Sequence, residues 1–392
     1  MNNNQNNPIN YFAQTNSRAK RDIFGIYLKD RLHHFYILGR TGTGKTNLLQ
    51  TKITQDFKND KGLCLIDIHG DLILKVIKST PYKRFRDVVY LDATNPKLAL
   101  GYNPLRKVSY EKRSLITSNI LEVFQRLWGA QGWGVKMAHI LRNVILTLLD
   151  QPKAVFTDII KILQDPNFRN KCIQNIVNPE VKTFWEKEFK NYGKTDLIPI
   201  YNKLGGILSY PSVKRILVTN KKQISLRWII DNNKILLVNL SKGAIGSEAA
   251  YILGSLLLTS LSAAAFSRID TLEHDRKYFF IYLDEFQNYT NLSLVEMMSE
   301  LRKFKIGIVM AHQYISQLDT KIRDAVLNNV GTIICFRLGQ TDAKFMEKEF
   351  YPVFETADFV NLGNYEIYLK LMINGRPSKA FSATTILPHI AK

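Results

Sequence analysis

The chain has 392 residues, with 54 Lys and Arg against 34 Asp and Glu, a formal net charge of +20, and 45% apolar residues. That length and apolar content provide for one large domain with an insertion, or for two domains, and exclude collagen-like and wholly disordered chains. The positive excess favours a polyanionic partner, nucleic acid or an acidic membrane surface.

Taken in chain order, residues 1–20 open on an Asn-rich stretch and are expected to form a disordered tail. No charged segment followed by an apolar core appears there, so a secretory signal is not expected. His34 to Leu38 is short, aromatic and apolar and predicts a buried parallel strand. It runs into Gly39-Arg40-Thr41-Gly42-Thr43-Gly44-Lys45-Thr46, a complete phosphate-binding loop, and then into the opening of a helix from Asn47 to Ile53. Glycines let the backbone curl so that successive N–H groups and the helix N-terminus point at phosphate oxygens. Gly39, Thr41, Gly42, Thr43, Gly44, Lys45, Thr46 and Asn47 are therefore expected to bind nucleotide. Lys45 would reach the β- and γ-phosphates, and the Thr46 hydroxyl would be a ligand of Mg²⁺.

Further strands are expected at Lys61–Asp67, which leads into Asp67-Ile68-His69-Gly70-Asp71, and at Val88–Asp92. From 105 to 232 the apolar residues recur at helical spacing, as in Met137, Ile140, Leu141, Val144, Ile145, Leu148 and Leu149, and prolines divide the region into short helices. Between Arg106 and Asp231 there are 21 Lys/Arg against 10 Asp/Glu, more than half the net charge in about a third of the chain. Strand pattern resumes at Lys234–Leu240. The apolar stretch Tyr251 to Phe266 is short for a bilayer span and predicts a core helix.

Lys277–Leu283 then delivers Asp284 and Glu285, Ile306–Ala311 delivers Gln313, and Thr332–Arg337 is another strand. Two strand-like runs around Asn374-Gly375 predict a C-terminal β-hairpin. The expected architecture is α/β: a parallel sheet flanked by helices from 21–104 and 233–392, interrupted by an all-α insertion at 105–232. The three cysteines are expected to be reduced core residues of a cytosolic protein, and no zinc-ligand spacing is present.

Hydrolysis of a phosphoanhydride needs a phosphate cradle, Mg²⁺, a group that orients water, and positive charge on the phosphoryl. Asp284, ending an apolar strand, is where a carboxylate of the Mg²⁺ shell is expected, and Glu285 is placed to polarise the attacking water. Gln313, ending the next strand, can sense the γ-phosphate. Arg302 and Arg337 are the candidates for an arginine acting across a subunit boundary, a contribution worth roughly 10³ to 10⁵ in rate. A GTPase reading fails because Asn220-Lys221-Lys222-Gln223 lacks the base-reading aspartate. A two-lobed helicase would need a second lobe after Gln313, and only 79 residues follow.

The order GRTGTGKT, DIHGDL, helical insertion, KILLVNLSKG, IYLDEFQ, LRK and AHQ resembles the HerA–FtsK class of motor ATPases, and within it the type IV coupling proteins of conjugation and secretion. The resemblance spans roughly residues 20 to 385. It implies a RecA-like fold, ATP and Mg²⁺ as cofactors, a homo-oligomeric ring of six, and DNA, single- or double-stranded, as the partner, with a secretion channel or relaxosome as a further one. It also implies the roles given to Lys45, Thr46, Asp284, Glu285, Arg302 and Gln313, and the Arg302-to-Gln313 spacing favours Arg302 as the trans-acting group. Coupling proteins usually carry N-terminal membrane helices, and none is expected here, so the location expected is cytoplasmic or peripheral to the inner membrane. The alternative is a secretion ATPase that energises protein export or pilus assembly.

Overall fold

The computed structural model describes residues 8–16, 21–97, 100–218, 222–289 and 292–389. Its strands are β1 (Ile9–Thr15), β2 (Ile23–Tyr27), β3 (Phe35–Leu38), β4 (Gly62–Asp67), β5 (Val88–Asp92), β6 (Leu100–Gly101), β7 (Lys222–Gln223) and β8 (Ile235–Asn239). They continue with β9 (Phe279–Asp284), β10 (Ile306–His312), β11 (Thr332–Cys335), β12 (Glu366–Lys370), β13 (Met372–Ile373), β14 (Arg376–Pro377) and β15 (Phe381–Thr385). Eleven of them form one sheet in the order β2-β1-β15-β12-β11-β3-β10-β9-β4-β8-β5. From β11 to β8 the pairs are parallel, and from β11 outward through β12, β15, β1 and β2 they are antiparallel.

The parallel strands read as unbroken apolar runs because both faces are covered. Phe35 and Ile37, Leu63 and Leu65, Phe280 and Tyr282, Val309 and Ala311 share one core with Leu48, Leu49, Ile53 and Phe57 of helix α1 (Lys45–Lys58) and with Leu72, Ile73 and Val76 of α2 (Asp71–Ser79). The alternate residues Tyr36, Leu38, Cys64, Ile66, Ile281, Leu283, Ile308 and Met310 are buried as well. At Asn374-Gly375, where both residues have positive φ, β13 turns into β14, and β12 pairs with β15 as an antiparallel hairpin.

The chain divides into two compact units. One comprises Met1–Tyr90, Leu226–Asn239 and Ala264–Lys392; the other comprises Leu91–Ser225 and Leu240–Ala263. The second unit is helical apart from the short parallel pair β6–β7. It is larger than the insertion expected at 105–232, because it takes in most of the apolar helix Ser247–Phe266. That helix shows no polar face to mark a boundary, and the Tyr102 hydroxyl donates to the Leu256 carbonyl at 2.7 Å. Among the described residues it is the one helix long and apolar enough to cross a membrane, and most of it is buried.

The disordered tail expected over 1–20 is corrected for its middle part. Ile9–Thr15 is a strand of the main sheet, paired with both β15 and β2, while residues 1–7 and 17–20 lie outside the described residues. Asn10 is buried, its amide donating to the Lys52 carbonyl at 2.9 Å and to Asp56 at 3.2 Å. An Asn in this place is therefore a satisfied core group instead of a mark of disorder. All three cysteines are free and buried, as expected.

Candidate functional site

β3, β9 and β10 end in register: Leu38 faces His312, and Asp284 faces Ala311. The loop after β3 and the side chains after β9 and β10 are thereby delivered to one edge of the sheet, the edge at which open α/β sheets bind ligands. In the loop, Gly42 and Gly44 have φ of +79° and +124°, which residues with a Cβ rarely adopt. Phe336 packs beneath: its Cβ lies 2.6 Å from where a Cβ on Gly39 would be, and its Cε1 lies 3.0 Å from that point on Gly44. Thr43 braces the turn through its hydroxyl, which donates to the Arg40 carbonyl at 2.7 Å.

Lys45, at the first position of α1, folds its ammonium onto the Gly39 and Arg40 carbonyls at 2.5 and 3.2 Å. Burial lowers its pKa, against the pull of Glu285 and Asp284. Thr46 and Asn47 follow, half-buried in the first turn, and the Asn47 amide donates to the Ile386 carbonyl at 3.1 Å.

Asp284 is buried, and its pKa is raised to about 7, first by burial and then by the neighbouring carboxylates Asp67 and Glu285, with Lys45 opposing. Asp67 ends β4 and caps α2, accepting from the backbone N–H groups of His69, Leu72 and Ile73. Glu285 stands in the left-handed region (φ 51°, ψ 51°), a conformation that costs a non-glycine residue roughly 1–3 kcal/mol and that concentrates at active sites. Both of its carboxylate oxygens are held: Gln313 donates to one at 2.6 Å and Gln287 to the other at 2.8 Å. Gln313 in turn accepts from the Thr41 hydroxyl at 2.7 Å. A chain of hydrogen bonds therefore joins the phosphate loop, through Gln313, to the acidic pair.

Behind it His312 is buried, with Nε2 at 2.6 Å from the Tyr36 hydroxyl. Burial pushes its pKa down to about 3, with Lys45 adding to the effect, so the ring is neutral.

The structure thus brings Gly39 to Asn47, Asp284, Glu285 and Gln313 to one edge, and leaves Arg302 out. Arg302 follows the helix Leu292–Leu301 and precedes β10, so it stands at the opposite edge. With seven residues in β10 the separation is about 20 Å. There it is exposed, and its guanidinium lies 3.3 Å from His33 Nδ1. Arg337 sits on the phosphate-loop edge, where its carbonyl accepts from Arg40 N–H at 3.0 Å. Its guanidinium donates to the Leu362 carbonyl at 3.3 Å and to Asn364 at 3.1 Å, so it serves as a brace within its own chain. Three contributors escaped the sequence reading: Gln287, Asp67 as the charge that perturbs Asp284, and the C-terminal corner around Tyr365. Gln287 was visible beside the acidic pair, whereas the other two depend on strands that meet only in the fold.

Among the described residues no group of three His, Cys, Asp or Glu side chains is arranged to hold a metal. A cation held by nucleotide phosphates, waters and one or two protein oxygens needs no such cage. The Thr46 hydroxyl and the crowded Asp284 carboxyl suit that role.

A family profile described as the TraM recognition site of TraD and TraG matches residues 279–348. No match was found among curated protein sequences. Among solved structures the plasmid coupling protein TrwB, in complex with ADP and Mg²⁺, is 16% identical with a TM-score of 0.69, over 97% of this chain and 95% of that one. TrwB with a non-hydrolysable ATP analogue is 15% identical with a TM-score of 0.70, over 97% and 95%. VirB4 of Thermoanaerobacter pseudethanolicus is 12% identical with a TM-score of 0.63, over 98% and 96%. The fold of this chain is that of the plasmid coupling protein TrwB and of VirB4.

Proposed function

We propose that the chain is an ATP-driven motor that assembles as a ring and moves DNA, in conjugative transfer or type IV secretion. The observation that carries this reading is the split of the catalytic set. The cradle, acidic pair and glutamine converge in one chain, while the arginine stands about 20 Å away at the other edge. Such a site is completed by a neighbour's arginine.

In the proposed reaction Lys45 would exchange its loop carbonyls for β- and γ-phosphate oxygens, and Thr46 and Asp284 would hold Mg²⁺. The metal supplies positive charge against the phosphates. Glu285, fixed by Gln313 and Gln287, orients the attacking water. Gln313, bonded to Thr41 as well, links the state of the γ-phosphate to Glu285. DNA as cargo is supported by the net charge of +20 and by its concentration between Arg106 and Asp231. The second reading, a motor for protein export, keeps the same nucleotide site and differs in its cargo, and the profile match supports a protein such as TraM as a partner.

The test is ATP hydrolysis without nucleic acid, with single-stranded DNA and with duplex DNA, at low and moderate salt. Stimulation that falls steeply with salt is expected, since each neutralised phosphate contributes nearly one log unit per log unit of salt. Hydrolysis indifferent to DNA moves the reading to protein export.

A further inference from the structure

The phosphate-loop edge has a second side. Glu285 and Gln313 stand over β9 and β10, so the terminal phosphate of a nucleotide must face that way, and the nucleoside end leaves across the loop toward β11 and β12. On that side the chain builds a corner from Leu362 to Tyr365. Tyr365 N–H donates to the Thr43 carbonyl of the phosphate loop at 2.8 Å, and its own carbonyl accepts from Thr385 N–H at 2.8 Å. Its backbone is left-handed, with φ of +66°. The edge of the ring meets the loop, Cδ1 lying 2.9 Å from where a Cβ on Gly44 would be, and yet the side chain is 44% exposed.

A tyrosine in an exposed turn is ordinary. This one keeps a backbone conformation that Gly or Asn would hold at lower cost, although both residue types stand beside it as Gly363 and Asn364. Its backbone is pinned to the phosphate loop and to β15 while a little under half of the residue stays exposed, a combination that suits an aromatic face held ready for a flat ligand.

We infer that Tyr365 is the platform on which the nucleotide base stacks, and that the site takes purine nucleotides by their face without reading their edge. The inference rests on the nucleotide reading above. Every purine offers an aromatic face, so stacking alone does not separate adenine from guanine. Two nearby polar atoms are engaged elsewhere: Asn364 Oδ1 by Arg337, and the Asn47 amide nitrogen by Ile386.

The experiment measures dissociation constants of the full chain for MgATP, MgGTP and Mg-tripolyphosphate by calorimetry, for wild type, Tyr365→Ala and Tyr365→Phe. Tyr365→Ala is expected to weaken ATP and GTP alike, roughly tenfold or more, to leave tripolyphosphate unchanged, and to be restored by Tyr365→Phe. Tyr365→Gly, suited to the positive φ, replaces the alanine variant if that one does not fold. Unchanged ATP affinity, or equal loss of ATP and tripolyphosphate, overturns the platform, and strong ATP-over-GTP preference in the wild type overturns recognition by face alone. Lys45→Ala separates the two layers of the argument: it is expected to lose all three ligands, and if it retains them the phosphate-loop reading fails, whatever Tyr365 does.

Discussion

At the carboxyl end of β10, polar side chains hold one another: Thr41 to Gln313, Gln313 to Glu285, Gln287 to Glu285. At its amino end Arg302 stands exposed, on a turn supported from below. There His34 donates from Nε2 to the Met298 carbonyl at 2.8 Å and accepts at Nδ1 from the Ile308 N–H at 3.1 Å. The groups proposed to orient water and phosphate are thus fixed within one chain, and the group expected to arrive from a neighbour stands exposed, in contact with His33. Preorganisation is concentrated where charge develops, and the exposed end keeps the freedom to dock.

The largest effect expected from breaking this contrast is at Arg302. Arg302→Ala should lower ATP turnover by roughly 10³-fold or more while nucleotide affinity holds. Mixed with inactive Glu285→Gln subunits it should regain activity, because some sites then combine an intact Glu285 with an intact arginine. A mixture as inactive as its components would show that the arginine does not act across a boundary.

The next effect belongs to His34. Its pKa is lowered to about 4 because burial penalises the imidazolium, and both ring nitrogens are already committed, one as donor and one as acceptor. The unfolded chain takes up this proton first, so the stability it contributes is complete above pH 6.5 and drains as pH falls toward 4. The loss is roughly 3 kcal/mol in all. Urea midpoints between pH 7.5 and 4.5 should fall less steeply in His34→Gln than in the wild type. Equal slopes would place the acid sensitivity elsewhere.

The smallest effect is at the other end. Gln313→Ala removes a hydrogen bond to a charged group, worth roughly 1.5–3 kcal/mol, and should lower kcat about ten- to hundredfold with KM little changed. A change in KM alone would mean that Gln313 binds nucleotide without orienting Glu285.

Much of the nucleotide edge was legible because it is local. A phosphate loop needs its glycines, its Lys and its Thr at fixed spacing, and a buried parallel strand needs an unbroken apolar run, so β3, β9 and β10 and the residues that follow them stand out in the sequence. What was not legible is non-local. Ile9–Thr15 follows an Asn-rich stretch, and its place inside the main sheet depends on β15, some 370 residues later, as well as on β2. The helix Ser247–Phe266 is apolar on all sides, which says that it is buried without saying in which unit. Arg302 and Arg337 had the same residue type and similar strand-flanking positions, and only the direction of the strands puts one at each edge of the sheet.

The dependence of Gly39–Thr46 on Phe336, Arg337 and Tyr365 bears on how the molecule is made. The ribosome delivers the glycine loop well before the side chains that underlie and brace it, since Phe336 follows Thr46 by 290 residues. Until they follow, the loop lacks the contacts with Phe336, Arg337 and Tyr365 that brace it in the folded chain. A chain cut short before Phe336 is expected to bind no nucleotide.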